Sequence, residues 1–251
     1  MVANAGSGAY EPLSTLKPVT PDIWVVDGPM IKFGMPWPKA SFPTRMTLVR
    51  VGGGRLFVHS PTPLTSSLYE EIKGIGRVAW IIGPNRFHYW WIREWREAYS
   101  DATVYVAPRV RQQAAKRIDF ATLDLDVNAP LPWREEIATL AVEGSVLTEF
   151  VFFHRASRTL IVTDLIQNFE AHKLDSWLMR WLTWIGGVQD PDGQTPRDMR
   201  VSFRRQRTEL QAAVKQMIDW NLDRVILAHG KWYNSDGAKE LRRAFRWARQ
   251  G

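Results

Sequence analysis

Three histidines and one aspartate stand where an apolar run gives way to a loop. Asp164 closes the run Thr159-Leu160-Ile161-Val162-Thr163, which reads as a strand buried on both faces. His229 follows the apolar run 224–228 and is itself followed by Gly230. His59 ends the run 55–59, and His88 lies beyond the run 78–82. Imidazole and carboxylate serve general acid–base chemistry and bind divalent metals of borderline softness. An acid at the end of a buried strand is costly to desolvate unless it is paired or the strand ends at a site. The competing role for Asp164 is to cap the following turn.

The elements that must carry these residues can be read from periodicity and punctuation. Residues 1–20 read as a flexible arm rich in Gly, Ser and Pro, and 21–251 as a single domain. Strands are expected at 22–27, 45–51, 55–59, 78–82, 103–107, 137–142, 147–153, 159–164 and 224–228. The triplet Gly52-Gly53-Gly54 signals a hairpin between the second and third. Helices are expected at 64–74, 87–99, 108–117, 174–185, 202–221 and 235–250, with Thr65 and Ser235 as N-caps. Residues 34–43 form a Pro-rich loop. Strands interleaved with helices in both halves predict layered sheets covered by helices.

Composition narrows the chemistry. The 251 residues contain no cysteine, which excludes disulfides, thiolate zinc sites and cysteine nucleophiles. Lys and Arg number 33 against 26 Asp and Glu, a net charge of +7. That balance is ordinary for a basic globular protein, and no aromatic-interleaved basic stretch accompanies it, so nucleic acid is not expected as a partner. The first residues lack the apolar core of a signal peptide, and no apolar run reaches spanning length. The expectation is a cytoplasmic protein without a membrane partner. Many of the thirteen tryptophans gather near 90–95 and 177–184.

Taken in order, these stretches resemble the metallo-β-lactamase superfamily, in a divergent branch described only as a domain of unknown function. Leu56-Phe57-Val58-His59-Ser60-Pro61 stands where that superfamily has a strand ending in Ile-Asp-x-Gly. Gly83-Pro84-Asn85-Arg86-Phe87-His88-Tyr89-Trp90 falls where it carries His-x-His-x-Asp-His. Glu143-Gly144-Ser145 replaces a Gly-His turn, Thr163-Asp164 matches the strand of the bridging Asp, and Ala228-His229-Gly230 matches the terminal His-Gly. The resemblance covers roughly residues 20–245. It implies an α+β fold, a four-layer αββα sandwich with two mixed sheets and helices outside.

The same comparison implies a reduced centre. Direct alignment puts Asn85, Phe87, Tyr89, Trp90 and Ser145 on ligand positions and leaves only Asp164 and His229 in place. A one-residue slip adds His88. Phe and Trp cannot bind a metal, so a dinuclear zinc pair is not expected. In the implied fold His59, His88, Asp164 and His229 lie along one edge. They form a ligand set for one zinc, iron or manganese ion, or a metal-free cluster in which Asp164 orients His88 or His229 as a general base. Ser60 and Ser145 are the nearest nucleophiles, but no Gly-x-Ser-x-Gly elbow is present. Asn85 either makes a turn or donates to a substrate.

Trp177, Trp181 and Trp184 form one stripe at i, i+4 and i+7. The stripe is expected to pack on the core or, through the helix 174–185, on a second copy of the chain; the alternative is that Trp177 and Trp181 wall a substrate pocket. The expected function is a hydrolase of a small-molecule ester or lactone, with His88, Asp164 and His229 catalytic. The alternative is a non-catalytic binding or scaffold protein that kept the fold and lost the metal chemistry.

Overall fold

A computed structural model describes residues 8–33, 40–174 and 176–249. The first seven residues of the expected arm and residues 34–39 of the Pro-rich loop lie outside the described residues, as does Asp175 in the tryptophan segment. The chain divides into two compact units, one of residues 1–124 with 173–179 and one of 125–172 with 180–251.

The first unit carries a seven-stranded sheet in sequence order: β1 (Lys17–Thr20), β2 (Ile23–Phe33), β3 (Ala40–Val51), β4 (Arg55–His59), β5 (Arg77–Gly83), β6 (Thr103–Val106) and β7 (Leu123–Asp124). Its β1 to β4 pair antiparallel, and β4 to β7 pair parallel. Lys17–Thr20 fall inside the expected arm, yet they pair with the start of β2 through Lys17↔Val25 and Pro18↔Trp24. The hairpin between β3 and β4 turns on Gly52–Gly54, where φ is +75 at Gly53 and +68 at Gly54, values open to glycine at little steric cost.

Parallel strands need crossovers, and α1 (Ser66–Lys73) and α2 (Ile92–Ala98) supply them between β4, β5 and β6. Thr65 caps α1 as expected, its side chain accepting from Leu68 N at 3.2 Å. The helix expected from residue 87 begins only at Ile92, because Asn85 first closes a turn. The basic helix shortens to α3 (Val110–Ala114) and one 3-10 turn.

The second unit holds a four-stranded sheet. Its strands are β8 (Ile137–Val142), β9 (Glu149–His154), β10 (Thr159–Val162) and β11 (Arg224–Leu227), in the order β11-β10-β9-β8. The β10–β11 pair is parallel and the others antiparallel. Every residue of β9 and β10 is buried, which accounts for their unbroken apolar runs. The strand expected to run to Asp164 stops at Val162, since the next N–H groups turn to the Glu149 side chain.

Helix α4 (Trp177–Gly186) contains the boundary between the two units. Then come α5 (Arg207–Asp219), α6 (Gly237–Ala244) and α7 (Arg246–Arg249). Ser235 does not cap α6. Asp236 holds the cap position in a left-handed conformation without a side-chain cap. Among the described residues no helix is long and apolar enough to cross a membrane.

Candidate functional site

In the first unit, β4 and β5 lie side by side in parallel register with His59 opposite Ile82. Beyond His59 the chain is held by Ser60 N, which donates to the Ile82 carbonyl at 3.0 Å. Beyond β5 the buried Asn85 closes a tight turn: its Oδ1 accepts from Phe87 N at 2.8 Å and its carbonyl from His88 N at 3.2 Å. This is the turn chemistry open to an Asn after a strand. It delivers His88 to the end of the neighbouring strand, where Ser60 Oγ and His88 Nδ1 are 2.5 Å apart.

His59 is almost wholly buried. Burial, with the His88 charge as a second cause, holds its pKa down at about 3, so the ring is neutral at physiological pH. The aromatic residues that follow His88 form a cluster. Tyr89 stacks on Trp90 with centroids 6.0 Å apart, and the Arg117 guanidinium sits 4.6 Å from the Trp90 centroid.

In the second unit the bend after β10 is fastened by a carboxylate. Glu149, fully buried at the head of β9, accepts from Thr163 N at 2.7 Å, Asp164 N at 2.8 Å and Leu165 N at 3.1 Å. Burial raises the Glu149 pKa and the Asp164 charge raises it further, while the N–H groups of Thr163 and Asp164 pull it down; the net direction is upward. The Asp164 carboxylate is nearly buried, accepts from Gln167 Nε2 at 3.3 Å on Oδ1, and has His229 Nε2 3.4 Å from that same oxygen.

His229 is set by the residue after it. Gly230 has φ +89, and a Cβ there would stand 2.1 Å from the Asn168 carbonyl oxygen. Asn168 N donates to the His229 carbonyl at 3.4 Å and Lys231 N to the Asn168 carbonyl at 2.8 Å, so Asn168 holds the chain on both sides of Gly230.

The Asp164–His229 pair passes a simple test for a metal site. Donors about 2.0–2.1 Å from a tetrahedral ion are about 3.3 Å from one another. His229 Nε2 and Asp164 Oδ1 stand 3.4 Å apart, close to that edge. Both are the N and O donors that zinc, iron and manganese accept.

The remaining expected residues are placed as follows. Ser145 donates its hydroxyl to the Ser202 carbonyl at 3.1 Å, and Ser202 Oγ accepts from Val146 N and Leu147 N, so this turn is tied to Ser202. His154 Nδ1 lies 2.8 Å from Ser157 Oγ, in the turn before β10. His172 is exposed. Trp177 and Trp181 are 77% and 51% exposed, so the stripe on α4 is not core packing. The residues missed by inspection of the sequence are Glu149, as the clamp of the Asp164 bend, and Ser60, as the neighbour of His88. A lone acid heading the apolar run Phe150-Val151-Phe152-Phe153 was the available signal for Glu149.

Residues 23–177 match a family model described as a domain of unknown function (DUF4336). No curated protein matches the chain. Among solved structures, it is similar to the metallo-β-lactamase FIM-1 from Pseudomonas aeruginosa in its mono-zinc form, with 12% identity over 94% of this chain and 95% of that one and a TM-score of 0.62. The DIM-1 metallo-β-lactamase exposed to ceftazidime is 15% identical over 93% and 96% of the two chains, with a TM-score of 0.57. A metallo-β-lactamase from Hirschia baltica is 11% identical over 93% and 96%, with a TM-score of 0.54. These likenesses establish the fold: the α+β class and metallo-β-lactamase-like architecture expected from the sequence are those of the chain.

Proposed function

Because the chain belongs to the DUF4336 family, a domain of unknown function, and has the metallo-β-lactamase fold, we propose that it is a hydrolase of small-molecule esters or lactones, built on His88, Asp164 and His229 around one divalent ion. The observation that carries this reading is the 3.4 Å separation of His229 Nε2 and Asp164 Oδ1, which suits two ligands of a single tetrahedral ion. His59 is buried and neutral and is not counted among the three donors. Zinc, iron and manganese all suit these donors. The mono-zinc form in which FIM-1 was solved is a further support for one ion over two.

An ion so held would polarise the scissile carbonyl and bring a water molecule into reach of ionisation at neutral pH. The chain's own groups do the rest. Glu149 fixes the backbone at Asp164, and Gln167 steadies the carboxylate that stands beside His229. Asn85 closes the turn that carries His88, and the exposed indoles of Trp177 and Trp181 suit contact with an acyl or lactone chain. The exposed Trp177, Trp181 and Trp184 equally suit contact with a second copy of the chain through α4, a reading that sedimentation of Trp181→Ser against the parent decides.

The test is turnover of a panel of aryl esters and lactones by purified protein supplied with zinc, iron or manganese. Turnover is expected, lowered at least about 100-fold by Asp164→Asn and by His229→Ala, with KM alone raised by Trp181→Ala. Turnover equal in the parent and in Asp164→Asn, or absent with every substrate and metal, contradicts the proposal.

A further inference from the structure

Ser60 stands at an unusual place in the backbone. It follows the last residue of β4 with φ +54, in the left-handed region that costs most residues about 1 kcal/mol or more. Glycine would adopt this conformation freely. Of the described non-glycine residues with positive φ, Ser60 is the one whose hydroxyl meets a proposed metal donor, 2.5 Å from His88 Nδ1. Both partners are fixed from their own strands. Ser60 is tied to Ile82 through its N–H, and His88 to Asn85 through the turn after β5. The hydroxyl is nearly buried, so bulk water does not compete for the ring nitrogen.

A neutral imidazole carries its proton on one nitrogen and its lone pair on the other, and only the lone pair can bind a metal. The partner of one nitrogen therefore decides what the other can do. We propose that Ser60 is a positioning residue whose Oγ accepts the Nδ1 proton of His88, holding the ring in the tautomer that leaves Nε2 as the metal donor. The inference rests on the metal reading above and deepens it. It assigns the left-handed serine a function: the hydroxyl is kept at the end of β4 because it selects the donor atom of His88. The serine is thus a hydrogen-bond acceptor toward this ring and not a nucleophile activated by it.

The test combines two readouts on the parent, Ser60→Gly and Ser60→Ala. Nitrogen NMR of the neutral His88 ring in metal-free protein reports the tautomer, and calorimetric titration with zinc reports affinity. Ser60→Gly removes the hydroxyl while relaxing the left-handed backbone, so it is expected to fold at least as well as the parent. The expected result is an Nδ1–H ring in the parent, a mixed tautomer in both variants, and zinc affinity lowered about 10- to 100-fold. An Nε2–H ring in the parent overturns the inference, as does unchanged zinc affinity in a folded Ser60→Gly. If the parent takes up no zinc, the metal reading fails and the tautomer alone decides: Nδ1–H in the parent and mixing in Ser60→Gly sustain the role of Ser60, and any other pattern ends it.

Discussion

The carboxylate of Glu149 accepts the backbone N–H of Asp164 at 2.8 Å, so one buried acid holds the chain at the root of another. With Thr163 and Leu165 it receives three consecutive N–H groups, a role usually filled by a neighbouring strand. Removing it would leave three buried donors unmet, each worth about 1–3 kcal/mol. Glu149→Ala is therefore expected to lose about 3 kcal/mol or more in urea unfolding. Glu149→Gln, which keeps one acceptor oxygen and points an amide at the same donors, should fall between it and the parent. A loss below about 1 kcal/mol in Glu149→Ala would show that the clamp is dispensable.

His59 gives the fold a defined response to acid. Its ordinary pKa is 6.5, and in the folded protein burial lowers it to about 3. Below 6.5 the unfolded chain binds the proton that the folded chain refuses. Stability is therefore complete above that pH and falls between about 6.5 and 3, by at most about 1.4 kcal/mol per pH unit. Glu149, whose pKa burial raises, contributes with the opposite sign, losing stability as pH rises above the ordinary carboxylate range. In chelator, His59→Gln should flatten the acid-side slope of unfolding free energy, whatever its absolute stability. Parallel pH curves for the variant and the parent would remove His59 from this account.

Gly230 is tested by a single methyl group. At φ +89, with the Asn168 carbonyl oxygen 2.1 Å from any Cβ, an alanine must push the His229 loop away from Asn168. Gly230→Ala is expected to cost at least about 2 kcal/mol and to weaken zinc binding, both read by titration and thermal unfolding. An alanine variant with unchanged stability would mean that the loop shifts freely and that His229 is not held by it.

These features differ in how far the sequence discloses them. Asp164 and His229 are visible because each ends an apolar run, and burial on both faces writes itself as unbroken hydrophobicity in β10 and β11. The Gly52–Gly54 hairpin and the Thr65 cap are equally local, each set by residues within a few positions. The start of α2 lies later than its residues suggest because a side-chain turn at Asn85 outweighs the helical preference of the residues that follow. The Glu149 clamp and the Ser60–His88 contact depend on strand pairings, β9 with β10 and β4 with β5, that bring together residues 15 and 28 positions apart. No local pattern encodes such a meeting. The strand β1 was hidden because Lys17–Thr20 owe their conformation to pairing with β2 and not to their own composition.

The central claim is one metal ion held by His88, Asp164 and His229. Elemental analysis of protein purified without chelator, followed by titration of the stripped protein with zinc, iron(II) and manganese, tests it most directly. The account predicts one equivalent per chain, lost in a His229→Ala variant that keeps the circular dichroism of the parent. Two equivalents per chain, or none at saturating concentrations of all three metals, would contradict it.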